Sequence, residues 1–511
     1  MKFAFEEIPT LPNLAWCIEV SSEHAVITVK HGAGVDRHPD FFYEGCWNGS
    51  LSATGLSDAY ICAASGAILK DDALLIVAPS NTMARLYAIR LEQKIWISNS
   101  MAFAVAASGQ MIEPHYPFYQ EDISSIIDGL DKAVKSIPLK DGAQIDLYCH
   151  CNILLTDKFQ LIPTEKKACP VFSCFTEYKN FLSKSLKSVL DNASSAKRLR
   201  QFKPLASISR GYDSVTCASL AREAGCQDAF SIFDPESTEP DADNGADLAK
   251  HLGLNVTEVA RTTYKELHNE YEFFCLGTGG EDAFFAPLEH ILHGRVLISG
   301  FHGDKVWEKN ITKISDQIVR GDPSGADLEE FRLRVGFIHL PIPFFGCRAH
   351  AAIVAISNSA EMLPWSMGGD YDRPICRRIA EEAGLARSGF GQKKRVMSRS
   401  FPDKGLGWYF GKESLQEFLE YASTHQLQQK YSHKMLHGLA CMCGSLATTC
   451  GHFSYRLEKI IRQLSHPLDR YAHPFDMRRQ LFYWAFQKML GNYIAALRIT
   501  PENIQKKSLR K

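Results

Sequence analysis

The stretch Leu205-Ala206-Ser207-Ile208-Ser209-Arg210-Gly211-Tyr212-Asp213-Ser214 decides how the rest of the chain is read. A short apolar run enters a tight turn, and the turn opens a helix. Backbone N–H groups at a helix N-terminus carry partial positive charge and suit phosphate oxygens. Gly211 allows close backbone approach. Ser207, Ser209 and Ser214 supply hydroxyls, Arg210 a cation, and Asp213 a ligand for magnesium. The same residues also suit an ordinary strand-to-helix turn capped by serine and aspartate.

Outward from this loop, strands and helices alternate. Pro204 to Ser209 reads as a strand, followed by a helix with Val215, Ala218, Leu220, Ala221 and Ala224 on one stripe and Gly225 at its end. Asp228 to Phe233 is the next strand, Asp241 to Leu252 a helix, Leu254 to Val259 a strand, Glu281 to Leu292 a helix, and Arg295 to Ser299 a strand. Repeated βα units predict a parallel, doubly wound sheet that binds ligands at the C-terminal ends of its strands. Three segments then share one rim: Ser209 to Ser214, the strand end at Ile232 and Phe233, whose backbone could take an adenine edge, and Ser299-Gly300-Phe301-His302-Gly303-Asp304. Asp213 and Asp304 become paired carboxylates, a natural magnesium site for a nucleoside triphosphate. Asp304 also reads as a helix N-cap before Lys305-Val306-Trp307. Glu281 and Asp282 fall on the same rim, either as an amine site or as the acidic start of a helix.

Residues 1–165 read as an antiparallel, β-rich domain. Its strands are Ala25 to Val29, Ala59 to Ala63, Ala73 to Val77, Arg85 to Arg90 and Lys94 to Ser98, with a hairpin joining Ile145–Leu155 to Lys158–Pro163. Phe172 to Leu190 is helical, and residues 166–511 form the second domain, with an α/β core at about 200–310 and a helical part over 322–511. There, Asp372 to Gly384 is a helix with arginines crowding its start, against the helix dipole, which points to bound anion or to pairing with acids. Phe390-Gly391-Gln392-Lys393-Lys394-Arg395 is a basic loop. Cys441, Cys443, Cys450 and His452, with His433 and His437, have spacings unlike zinc knuckles and read as core. Met477 to Ile499 is an amphipathic packing helix.

The chain has 511 residues and a formal net charge of −1, so it carries no basic footprint for nucleic acid or acidic membrane. Its hydrophobic fraction of 45% is that of a globular protein, with no run long enough to span a bilayer. The start, Met1-Lys2-Phe3-Ala4-Phe5-Glu6-Glu7, lacks signal-peptide character, so a cytoplasmic location is expected. The fifteen cysteines, odd in number and scattered, read as reduced core thiols.

The strand–S-x-G-x-D-S–helix, the helix ending in Leu-Gly, and the later Ser-Gly-x-x-Gly-Asp segment together resemble the synthetase domain of the asparagine synthetase family, within the PP-loop ATP pyrophosphatases. The resemblance is clear from about 200 to 310 and weaker before it. It implies an Ntn-hydrolase-like N-terminal domain, ATP and Mg2+ as cofactors, and an adenylated carboxylate that an amine or ammonia attacks, giving an amide and AMP. It assigns Ser209, Gly211, Asp213 and Ser214 to pyrophosphate, Asp213 and Asp304 to magnesium, and Lys394 or Lys393 to the phosphates and the charge developing in acyl transfer. The chain departs from the family at Arg210, where glycine is usual, at Phe301 and His302, in place of Glu and Gly, and at Lys305, in place of Glu. Residue 2 is Lys2, where glutamine-using members carry their nucleophilic cysteine; the first cysteine is Cys17. The N-terminal domain is therefore expected to be a degenerate scaffold without glutaminase activity, as in β-lactam synthetase-like members. Small-molecule carboxylate and amine substrates and a second copy of the chain are the expected partners, with no nucleic acid and no membrane. The other readings are an inactive nucleotide-binding scaffold and a PP-loop enzyme that adenylates a different oxygen.

Overall fold

The structure is a computed structural model that describes residues 1–23, 26–70, 73–235, 243–276, 279–393, 406–425, 434–451 and 477–499, with scattered residues between 457 and 468. It is mixed α/β, with two largely antiparallel sheets before residue 166 and a parallel sheet after residue 200.

The first sheet has seven strands in the order Lys2–Glu7, Val26–His31, Trp16–Ser21, Lys94–Ser98, Leu86–Leu91, Gln144–Tyr148 and Ser136–Pro138. Its one parallel pairing joins Lys2–Glu7 to Val26–His31. The second has six, in the order Leu161–Glu165, Cys151–Leu155, Ala73–Val77, Cys62–Lys70, Phe41–Trp47 and Asp36–Arg37. Strand periodicity explains why they stack. Trp16, Ile18, Ile27, Val29, Ile95 and Ile97 meet Phe42, Ala67, Leu74 and Ile76 between the sheets. Tyr87, Ile89 and Trp96, one residue out of phase, face the opposite way and cover the wholly buried helix Met101–Ser108.

The expected strand Ile145–Leu155 is two strands in different sheets. His150 adopts a left-handed backbone (φ 56°) and carries the chain from one sheet to the other. Only its second half makes the expected hairpin, Cys151–Leu155 with Leu161–Glu165. The expected strand at Ala59 begins instead at Cys62.

The third sheet is wholly parallel, in the order Asn255–Ala260, Asp228–Phe233, Lys203–Ser207, Arg295–Ser299 and Ile338–Pro341. Both faces are covered. Ala206, Ala229, Val296, Ile298 and Ile338 pack toward the helices Phe175–Ala193 and Tyr212–Glu223, while Leu205, Phe230, Leu297 and Phe337 pack toward Ala283–Leu288 and Leu328–Val335. The chain moves outward from Lys203–Ser207 in one direction, then returns to its other side with Arg295–Ser299. The order of the strands therefore reverses between these two, the point at which open α/β sheets place their ligand crevices.

Three expectations are corrected. The Glu281–Leu292 helix is a 3-10 segment, Ala283–Leu288, with Pro287 inside it, then a short helix, Glu289–Leu292. The 241–252 helix spans Ala246–His251, and Asp241 and Ala242 lie outside the described residues. The part after Asp322 is not only helical, because Ile338–Pro341 extends the parallel sheet.

Buried charges join the parts. Glu330, 1% exposed, accepts from Ser100 Oγ at 2.6 Å and from Tyr493 Oη at 2.9 Å, linking the Leu328–Val335 helix to the starts and ends of two others. Burial pushes the Glu330 carboxyl up to about 7. Its proton is thus kept in the folded chain and lost near 4.5 in the unfolded one, so the stabilisation is full below 4.5 and disappears as pH rises through 7. Glu330→Gln is neutral throughout. Its melting temperature, measured beside the parent's between about pH 5 and pH 8, should rise relative to the parent as pH increases. Parallel curves would contradict the buried, protonated state.

Candidate functional site

The crevice between the Lys203–Ser207 and Arg295–Ser299 strands is built from two loops in direct contact. A Cβ on Gly300 would lie 2.7 Å from the Asp213 carbonyl carbon, and one on Gly303 would lie 2.5 Å from the Asp213 carboxyl carbon. Only glycine at both positions lets the loops meet this closely. Asp213, in the first turn of Tyr212–Glu223, therefore rests on the turn that bears Asp304. The structure brings together the two loops that the sequence placed on one rim.

The hydroxyls and amides of the first loop are arranged around one another. Ser209 Oγ and Ser214 Oγ are 2.9 Å apart, and Ser209 N donates to Ser214 Oγ at 3.0 Å. Gly211 N donates to Ser209 Oγ at 3.2 Å, Arg210 N to Asp243 Oδ1 at 3.1 Å, and Tyr212 N to the Tyr371 hydroxyl at 3.4 Å. Beside Gly211 the nearest atoms to a Cβ are 3.5 Å away, so its face is open compared with the packed glycines opposite. Ser207 Oγ is spent on the Ile298 carbonyl at 3.3 Å, and Ser299 Oγ pairs with His339 Nε2 at 2.8 Å; both reinforce the sheet. Ile232 is buried in the core, and Phe233, half-buried, ends its strand beside Ala260.

The two carboxylates already face cations. Arg373 Nη1 is paired with Asp213, and its Nε lies 3.3 Å from Glu308. Lys305 Nζ lies 2.5 Å from Asp304 and 3.8 Å from Asp322. Burial opposes the charge of each basic group, yet the carboxylates hold both pKa values above the ordinary range. A divalent cation that used both carboxylates would compete for them with Arg373 and Lys305.

Arg210, Phe301 and His302 each pack against neighbouring residues. Arg210 turns outward, with Nη2 3.0 Å from Asp247 and Nη1 3.1 Å from the Gly389 carbonyl. His302 takes a left-handed backbone (φ 75°) and stacks on Phe344 at 4.8 Å. Burial lowers its pKa to about 3, which keeps the ring neutral. Phe301 packs edge-on to His339, with centroids 5.5 Å apart.

The basic loop reaches the site through its backbone, because Gly391 N donates to the Arg210 carbonyl at 2.9 Å. Lys393 is exposed two residues further on; Lys394 lies outside the described residues. Asp282 is fully buried and accepts from Gly325 N at 2.6 Å, and burial raises its carboxyl to about 7. Of the cysteine and histidine group, His433 and His452 lie outside the described residues, and no metal cluster of three or more ligands occurs among the described residues. A cavity of about 760 Å3 between Gly49–Leu51 and the Phe175–Ala193 helix lies apart from the crevice.

Sequence reasoning passed over Tyr371 and Glu308 and read Arg373 only as part of a crowded helix start. That crowding is resolved by pairing with acids. Arg373 meets Asp213 and Glu308, while Arg377 meets Glu381 at 3.6 Å and the Tyr212 hydroxyl.

Gly303→Ala tests the contact between the loops. The added methyl would displace the Asp213 carboxylate, and with it the partner of the buried Arg373, so turnover at this site should fall at least about tenfold and the melting temperature should fall with it. Full turnover would mean that the position of Asp213 is unimportant.

No protein-family model matches the chain, and no curated protein matches it in sequence.

Proposed function

We propose that the chain is an ATP-dependent, AMP-forming ligase that joins a carboxylate to ammonia or a free amine, as its resemblance to asparagine synthetases suggests. The observation that carries this reading is the contact of Asp213 with Gly303, which sets two acidic loops against each other at the point where the strand order reverses. Crevices at such points receive nucleotides in open α/β sheets. In this reading residues 200–310 form a PP-loop core. Ser209, Gly211 and Ser214 hold pyrophosphate oxygens, the backbone at Ile232 and Phe233 takes the adenine, and Lys393 or Lys394 approaches the phosphates. Magnesium, held by Asp213 and Asp304, would offset the charge of the phosphate oxygens.

In the same reading the first 165 residues are a degenerate Ntn-hydrolase-like scaffold. Lys2 occupies the start of an edge strand, where a nucleophilic cysteine would be needed. Cys17 offers no substitute, since burial pushes its thiol far above the reactive range.

The experiment is an assay of pyrophosphate and AMP released from ATP with panels of carboxylates and amines. Release of AMP and pyrophosphate that depends on both substrates supports the ligase. Adenylate transfer to a non-carboxylate oxygen would redirect it, and nucleotide binding without turnover against every panel would favour the scaffold. Glutamine hydrolysis by the purified chain would overturn the inert N-terminal domain.

A further inference from the structure

The segment before the Pro374–Glu382 helix closes over the first loop as a strap. It begins at Gly368 and Gly369, both left-handed, with open space where their Cβ atoms would be. Asp372, 1% exposed, shapes it by accepting from Met367 N at 3.1 Å and Gly368 N at 3.2 Å, and Lys309 N donates to the Asp372 carbonyl at 3.0 Å. From this strap two side chains reach the loop. The Tyr371 hydroxyl takes the Tyr212 N–H, and Arg373 takes the Asp213 carboxylate.

These two contacts occupy the groups that a polyphosphate and its cation would use: a helix-terminal N–H donor and an acidic ligand. Arg373 is 2% exposed and lies over the Tyr371 ring, with its guanidinium carbon 5.0 Å from the centroid. Its Nε is anchored on Glu308 at 3.3 Å, while Nη1 points at Asp213. A guanidinium held by one edge can exchange the partner of its other edge without leaving its place. The same fork binds phosphate in the bidentate manner that carboxylate accepts.

We propose that Arg373 is a phosphate-binding residue of this site that exchanges its Asp213 contact for phosphate. Asp213 exchanges the guanidinium for a divalent cation, and the freed Nη groups of Arg373 go to phosphate oxygens while Glu308 keeps Nε. This deepens the nucleotide reading and rests on it. It adds a residue some 160 positions from the loop, which the motif alone does not reach.

The test measures equilibrium binding of ATP, inorganic pyrophosphate and adenosine to the full chain by calorimetry, with magnesium present. Arg373→Gln should weaken ATP and pyrophosphate at least about tenfold and leave adenosine within about twofold. Arg373→Lys retains a cation against Asp213 and so protects the fold, but it loses the fork; it should weaken pyrophosphate by about threefold or more. A parent protein that binds ATP, with either folded variant binding pyrophosphate as tightly or more tightly, would show Arg373 to be a lock and overturn the proposal alone. A parent that binds none of the three would remove the nucleotide reading itself.

Discussion

Asp213→Asn is expected to lower ATP-dependent pyrophosphate release by about 100-fold or more. The substitution preserves shape and removes one negative charge. The side chain would still rest against Gly300 and Gly303, so the loops keep their contact. What changes is the electrostatics, because asparagine is a poor ligand for a hard cation and a poor partner for Arg373. Glu308, 3.3 Å from Arg373 Nε, keeps that buried guanidinium partly compensated, so the variant should fold with a lowered melting temperature. Asp304→Asn should act in the same direction. Its carboxylate is balanced by Lys305 rather than by a buried arginine, so its stability should change less. Unaltered pyrophosphate release by Asp213→Asn would remove the first loop from the chemistry altogether.

The parts of this molecule that were legible in the sequence are those whose signals are local. Lys94–Ser98 and Arg295–Ser299 are β-rich runs between turns, and both strands fall where their residues predict. The Tyr212–Glu223 helix shows its apolar stripe, and the loop before it shows its glycine and hydroxyls. Ile338–Pro341 was hidden because Pro341 and Pro343 argue against a strand. It is tolerated because it lies at the edge of the sheet, with Pro341 at its end. The break at His150 was hidden for the opposite reason: no glycine or proline marks the left-handed turn at which the chain passes from one sheet to the other. Pro287 did carry a local signal: it lies in the 3-10 piece, just before the short helix that begins at Glu289.

The candidate site divides in the same way. Each loop is local, and their contact follows from the strand order that alternating elements predict. The strap is not local. Nothing near Asp213 announces Arg373, and nothing near Arg373 names its partner. The available signal was a positive charge at a helix start, which is unfavourable by itself and therefore implies an acid brought from elsewhere.

Arg332→Met is expected to destabilise the chain by about 3–5 kcal/mol. Arg332 lies in the Leu328–Val335 helix and reaches across to the six-stranded sheet, where it grips Glu44 with Nη1–Oε2 at 2.8 Å and Nη2–Oε1 at 3.0 Å. Glu44 is 1% exposed and also accepts from Ser65 Oγ at 2.7 Å. Nη2 of Arg332 further holds Glu329 at 3.0 Å. One guanidinium thus serves two buried carboxylates, and burial pushes the Glu329 carboxyl up to about 7, as expected where acids outnumber bases. Removing Arg332 leaves the buried Glu44 carboxylate held by neutral donors such as Ser65 Oγ, with no counter-charge from Arg332, which is costly. Methionine fills most of the volume, so the loss reports charge more than packing. The companion Glu44→Gln with Arg332→Met should recover a large part of the deficit, because the cost lies in the uncompensated charge rather than in the absent pair. Chemical denaturation of the three proteins side by side measures this. A double variant as unstable as Arg332→Met alone would place the cost in packing and take the ion pair out of the account of how the β-rich part docks onto the parallel sheet.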